Sequence, residues 1–217
     1  MRKDHIDIVY EDKDIIVVNK RPNLLTISTD KEKIKTLFHN TLLYLKGKNK
    51  NNKVFIVHRL DFDTSGLVLF AKSELNKKIL QDNWNDTIRR YYAVCDGKFK
   101  KNSGTFKSWL KETKTLLTYS SNIKDNGKLA ITQYKVLKSN NKYSLVDLNI
   151  LTGRKNQIRV HMKELGCPIT GDKKYGNGMG NRLMLHAYYL EFTHPRTKKK
   201  VILDLGIPAD FEKKVGN

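Results

Sequence analysis

The sequence predicts an α+β fold with a mixed, largely antiparallel central sheet and flanking helices. Three observations lead there. Short apolar runs rich in β-branched residues outnumber the helical stretches, their order is not a regular βαβ repeat, and the last two runs read as a hairpin. The chain has 217 residues and shows neither an internal repeat nor a Pro/Gly/Ser-rich linker, so residues 1–217 are expected to form one domain.

Taken in order, residues 14–18 (DIIVV) read as a strand that stops near Pro22. From Ile34 onward, Ile34, Leu37, Phe38, Thr41, Leu42 and Leu45 follow the helical period, with Gly47 as terminator. Residues 54–57 (VFIV) and 67–71 (LVLFA) read as buried strands. Ser73 is placed to cap a second helix carrying Leu75, Ile79 and Leu80 and ending near Trp84. Residues 91–94, 105–110, 131–137 and 143–150 then read as strands. In the last of these, Val146, Leu148 and Ile150 alternate with Asp147 and Asn149, a half-buried pattern. Residues 156–165 put Ile158, Met162 and Leu165 on one helical stripe, with Gly166 in position to end it. A hairpin of residues 183–192 and 200–205, joined through His194, Pro195 and Arg196, closes the chain.

Composition narrows the partners. Forty-two Lys and Arg against 22 Asp and Glu leave a formal charge of +20, which calls for a polyanion, although Lys and Asn are abundant throughout and part of the excess follows that bias. The longest apolar runs are too short to span a bilayer and the N-terminus has no signal-peptide core, so a cytoplasmic location is expected. Cys95 and Cys167 stand far apart without a CxxC pair and are expected to be reduced core residues. His58, His161, His186 and His194 show no ligand spacing, and no metal is expected.

Two segments are dense in chemistry. Between the strands at 54–57 and 67–71, Asp61, Asp63, Thr64, Ser65 and Gly66 are turn formers. A carboxylate there is displayed at a sheet edge where a ligand can reach it. Asp61 is therefore either a nucleophile or the residue that ties up the turn. In LTGRKNQIRVH, residues 151–161, Arg154 and Lys155 flank a helix start and Arg159 lies one turn in. The segment is either a solvated helix start or a phosphate or carboxylate site. An arginine beside an acid lowers its pKa, which makes Arg159 a natural partner for Asp61. The run GDKKYGNGMG, residues 171–180, lacks the spacing of a phosphate loop and is expected to be a mobile surface loop near a substrate. Tyr91 and Tyr92 are either core aromatics or bases' stacking partners.

These segments resemble, in order, the motifs of the RluA family of pseudouridine synthases: YEDKDIIVVNKRPNLLT at 10–26, HRLDFDTSGLVLFAK at 58–72, RRYYAVCDG at 89–97, LTGRKNQIRVH at 151–161, LGCPITGDKKYG at 165–176 and RLMLHAYYLEFTHP at 182–195. The resemblance implies the pseudouridine synthase fold with a basic active-site cleft, and an RNA uridine isomerase that needs no cofactor and no metal. It matches Asp61 to the catalytic aspartate, Tyr91 to the aromatic residue that packs on the target base, Arg159 to the basic partner of the aspartate, and Arg59 to the arginine that fills the space of the flipped uridine. His58, Thr64, Arg154 and Lys155 are expected to contact RNA, either rRNA or tRNA, and the protein is expected to be a monomer. The chemistry needs these residue types, because a base must leave its stack before a side chain can reach it and the attacking acid must stay ionised.

Three departures accompany the resemblance. Lys20, Arg21, Pro22 and Asn23 stand where the family has Lys-Pro-x-Gly, which puts that turn in question, and Asn156 stands where relatives commonly carry histidine. Many relatives also begin with a small RNA-binding module, whereas this sequence starts almost directly at the catalytic motifs, so target choice is expected to rest on the domain's own surface. The competing reading is a non-catalytic RNA-binding or ribosome-associated protein.

Overall fold

The computed structural model describes residues 6–216. They form β1 (Asp7–Glu11), β2 (Ile15–Lys20), α1 (Leu37–Lys48), β3 (Phe55–Ile56), β4 (Ser65–Ala71), α2 (Glu74–Asp82), β5 (Ile88–Asp96), β6 (Ser103–Glu112), β7 (Thr118–Ser121), β8 (Lys128–Ser139), β9 (Tyr143–Ile150), α3 (Gln157–Glu164), β10 (Leu185–Thr193), β11 (Lys200–Asp204) and α4 (Ala209–Gly216). The predicted α+β class is the one observed. The chain divides into two compact units, the first from residues 6–87 with Leu190–Asp204 and the second from Ile88–Tyr189 with residues 205–216. No helix among the described residues is long and apolar enough to cross a membrane.

In the first unit β2 lies between β1 and β4, antiparallel to both, and β3 also pairs with β4. Ile15 to Val18 and Leu67 to Ala71 are buried on both faces, which is why both read as continuous apolar runs rather than as alternations. Thr36 caps α1 by accepting from the His39 amide, and Ser73 caps α2 by accepting from the Asn76 amide, as its position predicted. The first helix begins after Ile34, which stays exposed, and runs through Gly47 to Lys48. The predicted strand at 54–57 shrinks to Phe55 and Ile56.

In the second unit β5 pairs with β9, β9 with β8, β8 with β6 and β6 with β7, all antiparallel. One face of this sheet receives α3: His161 bonds Ser108 and Thr132, and Val160 packs with Leu110, Ala130 and Tyr175. The other face receives α4 at the end where Phe211 and Val215 join Val94, Leu145 and Met184. β9 is therefore buried on both sides over most of its length, against the half-buried pattern predicted. Asp147 tolerates this because Arg90 pairs with it and the Tyr188 hydroxyl donates to it.

Candidate active site

Asp61 sits in the first unit on a turn between β3 and β4, closed by the Thr64 amide donating to the Asp61 carbonyl at 3.2 Å. The backbone on both sides of it is pinned. Thr26 Oγ accepts from the Leu60 amide at 3.2 Å and donates to the Leu60 carbonyl at 2.7 Å. On the other side the Phe62 carbonyl accepts from the Leu24 amide at 3.2 Å and from Lys20 Nζ at 3.1 Å. A half-buried acid whose flanking peptide groups are both held cannot drift on its loop.

Lys20 supplies more than a tether. It is 0% exposed, and its Nζ also donates to the carbonyls of Arg21 and Leu24 at 3.1 and 2.8 Å. Burial pushes its pKa down to about 7, while the charges of Asp61 and Asp63 pull it back up. Three acceptors around one nitrogen favour the ammonium, since only that form has three protons to give. Sequence reasoning missed that Lys20 and Thr26 hold the Asp61 turn, because they act on backbone carbonyls and amides that residue spacing does not display. The doubtful turn beside them resolves physically. Asn23 adopts φ 58°, the left-handed region that asparagine tolerates nearly as glycine does.

The other residues predicted for this segment divide. Arg59 is exposed, Thr64 is buried in the turn, and His58 is committed to structure: its Nε2 accepts from the Leu69 amide at 3.0 Å and its ring stacks on Trp84 at 4.6 Å. That acceptor role fixes the neutral tautomer with the proton on Nδ1.

In the second unit Tyr91 lies on β5 opposite Leu148, on the sheet face that α3 covers. Arg159, on α3, is buried and held by Asp172. Its Nε donates to Asp172 Oδ2 at 2.8 Å and its Nη2 to Oδ1 at 2.7 Å, a two-pronged pair that fixes the guanidinium plane. Asn156 Oδ1 accepts from Nη1 at 3.3 Å, and the guanidinium lies 5.3 Å from the centre of the Tyr175 ring. Burial opposes ionisation of Asp172, but the hydrogen bonds and charge of Arg159, with the amides of Tyr175 and Lys174, outweigh it and hold its carboxyl below the usual range.

Asp172 belongs to the glycine-rich segment expected to be a mobile surface loop, but Gly171, Asp172 and Tyr175 are buried and tied into the fold while Lys173 and Lys174 are exposed. Asp172 Oδ1 accepts from the Lys174 and Tyr175 amides at 2.8 and 3.0 Å, its carbonyl accepts from the Gly176 amide at 3.0 Å, and Tyr175 is buried. Gly171, at φ 78°, is required by a close approach, since a Cβ there would lie 2.0 Å from the Arg182 carbonyl oxygen. The glycines mark a tight turn that aims Asp172 at Arg159. Asn156 also takes the left-handed conformation, φ 55°, at the start of α3.

Arg154 and Lys155 lie on the surface near that helix start. Arg154 Nε donates to the Leu129 carbonyl at 3.0 Å, and Lys155 pairs with Glu112.

Asp12, Asp14 and His194, in the first unit, bring ligand-type atoms within 4.8 Å of one another. The three are joined into a hydrogen-bonded clasp. Asp12 accepts from Tyr10, His194 and the Asp14 and Ile15 amides, and Asp14 accepts from Asn76 and Arg196. The Arg196 guanidinium, 2.5 Å from Asp14, supplies the positive charge there.

The comparisons with known proteins bear on the same segments. The family model described as RNA pseudouridylate synthase matches residues 14–164. Ribosomal large subunit pseudouridine synthase C of Rickettsia prowazekii (strain Madrid E) is 38% identical over 216 residues, covering 96% of this chain and 70% of that protein. An uncharacterized RNA pseudouridine synthase, YhcT, of Bacillus subtilis (strain 168) is 36% identical over 213 residues, with 95% and 70% covered. Among solved structures, human RNA pseudouridylate synthase domain containing 1 matches at TM-score 0.77 and 26% identity, over 96% of this chain and 86% of that one. The human domain containing 4 matches at TM-score 0.79 and 24% identity, over 94% and 90%. With the family model spanning both the Asp61 turn and the start of α3, the chain belongs to the RNA pseudouridylate synthases, isomerases that convert uridine in RNA to pseudouridine.

Proposed function

We propose that this enzyme isomerises specific uridines in ribosomal RNA, with Asp61 as the nucleophile on a flipped-out nucleoside. The observation that carries the reading is the clamped Asp61 turn. Thr26 and Lys20 immobilise the peptide groups on either side of the acid, and Lys20 places a buried cation within electrostatic reach of it. A nucleophile needs that rigidity and that help in staying ionised, whereas a residue that only closes a turn needs neither.

In this reading Arg159, held by Asp172, is the guanidinium partner of the acid, and Tyr91 packs on the target base. Arg59 takes the place of the uridine in the RNA, and His58, Thr64, Arg154 and Lys155 form or support the RNA contacts. Residues 1–217 act as a single catalytic domain, working as a monomer in the cytoplasm. Ribosomal RNA is favoured over transfer RNA because the Rickettsia relative is named for the large ribosomal subunit. Mapping pseudouridines across cellular RNA with and without this protein tests the substrate. Loss of one or more sites in large-subunit rRNA is expected; loss confined to tRNA overturns the rRNA assignment.

A further inference from the structure

The sheet of the second unit has a face that no helix closes. α3 covers the side bearing Tyr91, Tyr134, Ala130 and Leu110, and α4 covers the opposite side only at its Val94 and Leu145 end. Beyond that end, the part of this side formed by β6, β7 and β8 is covered by no helix. Side chains alternate along strands, so Thr105, Lys107, Trp109 and Lys111 of β6 share this open face with Gln133 and Lys135 of β8 and Tyr119 of β7. The registers line them up: Thr105 lies opposite Gln133, Lys107 opposite Ile131, Trp109 opposite Leu129, and Lys111 opposite Tyr119.

The pattern along this row is cation, polar, cation, ring, cation, with the Tyr119 ring beside the last cation. From Lys135 to Tyr119 it spans eight residue steps, about 27 Å at the rise of a strand. Lys107 and Lys135 are exposed and have no ion-pair partner among the described residues. A third cation, Lys124, stands over the Trp109 ring at 5.8 Å, and Tyr119 is 43% exposed. The acids near the row are already neutralised, Asp125 by Lys111 and Asp147 by Arg90. A surface of cations, Lys107 and Lys135 without ion-pair partners among the described residues, interleaved with aromatic rings fits a strand of RNA, whose phosphates meet the lysines while its bases stack on the rings.

We propose that this open sheet face is a second RNA-binding surface, on the opposite side of the sheet from Tyr91 and Arg159, taking a single-stranded segment of RNA without sequence preference. It rests on the RNA substrate of the preceding reading but makes a separable claim. It gives the enzyme a hold on RNA flanking the target, so that affinity is supplied away from the reacting base.

The test uses the full chain and a ten-nucleotide oligoadenylate, which contains no uridine and so cannot be a substrate. Two variants are compared with the wild type, the surface charge reversal K107E/K135E and W109A. Expected for K107E/K135E is at least about tenfold weaker oligoadenylate binding and a fall of about 1.4 in the log–log salt slope, since each single-strand phosphate contact contributes about 0.7. W109A is expected to weaken binding at least about fivefold, the low end of what one stacked base contributes. On structured RNA, K107E/K135E is expected to raise KM while kcat stays within about twofold. Unchanged oligoadenylate affinity and salt slope in K107E/K135E would overturn the proposal. So would a wild-type dimer that K107E/K135E dissociates, which would make the face a contact between copies. Failure of the wild type to form pseudouridine would overturn the functional reading instead and leave the oligoadenylate result to be judged alone.

Discussion

Arg159 is buried, and Asp172 meets two of its nitrogens at once. Removing one charge of a buried pair leaves the other uncompensated, which costs about 3–5 kcal/mol when the partner is lost outright. Asp172→Asn keeps the shape and one acceptor oxygen but not the charge. It is expected to lower stability by about 2–3 kcal/mol and to cut kcat at least about tenfold with a smaller change in KM, measured by urea unfolding alongside steady-state kinetics. A loss of stability with kcat intact would restrict Asp172 to the fold. Asn23 allows a finer check of the departure in the first motif. At φ 58° asparagine and glycine are nearly equivalent, so N23G should shift stability by less than about 0.5 kcal/mol, whereas N23A should cost about 1 kcal/mol. The turn that carries Asp61 was legible in the sequence because its turn formers stand between two apolar runs. Lys20, Thr26 and Asp172 were not, because a lysine on a strand, a threonine in a loop and an aspartate among glycines carry no periodic signal. Only folding shows that each points at a partner.

Among the elements, those with a strong period were recovered. The N-cap of α2 and the ends of β9 follow the residue pattern closely, and α1 is the expected helix although it starts at Leu37 and runs through Gly47 to Lys48. β1, β7 and α4 were missed for physical reasons. β7 (TYSS) has no apolar run, β1 is five residues long, and α4 offers only Phe211 and Val215 one turn apart as its buried pair. Those two residues anchor α4 because Val94, Leu145 and Met184 are there to receive them, and partners that distant in sequence cannot be read from a window. α3 depends on a buried polar network. His161 bridges Ser108 and Thr132 at 3.1 and 2.8 Å, and Gln157 Nε2 donates to Thr132 Oγ at 3.0 Å. Burial pushes the pKa of His161 down to about 4, and burial with the nearby Arg182 charge does the same for His186. Between about pH 4 and the ordinary histidine value near 6.5, the unfolded chain binds these protons and the native chain does not. Their stability contribution is therefore complete above about pH 6.5 and lost as pH falls through 4, roughly 3 kcal/mol for each histidine. Urea midpoints at pH 7 and pH 4.5 should differ accordingly, and H161N should show a smaller difference than the wild type.

For the whole molecule the dominant physical fact is the charge of +20. Its basic surface should release several counterions on binding RNA, so Kd is expected to rise steeply with salt, by about tenfold or more between 50 and 200 mM. A flat response, measured by filter binding on structured RNA, would contradict a broad phosphate footprint. The α+β class and the reaction class were both legible, the first from the mix of short strands and a few helices, the second from motifs in a fixed order along most of the chain. The division into two compact units was not, since no linker composition marks Thr87 or Leu190. A strand such as β10 that contributes residues to both leaves no signature in one dimension.

The central claim is that Asp61 performs the attack. It is tested most directly by measuring pseudouridine formation in a structured ribosomal RNA by wild type and Asp61→Asn, with RNA affinity and thermal stability measured on the same samples. The account predicts that D61N binds RNA within about twofold of wild type, stays folded, and converts uridine at least about a thousandfold more slowly. Conversion by folded D61N within tenfold of the wild-type rate would contradict it.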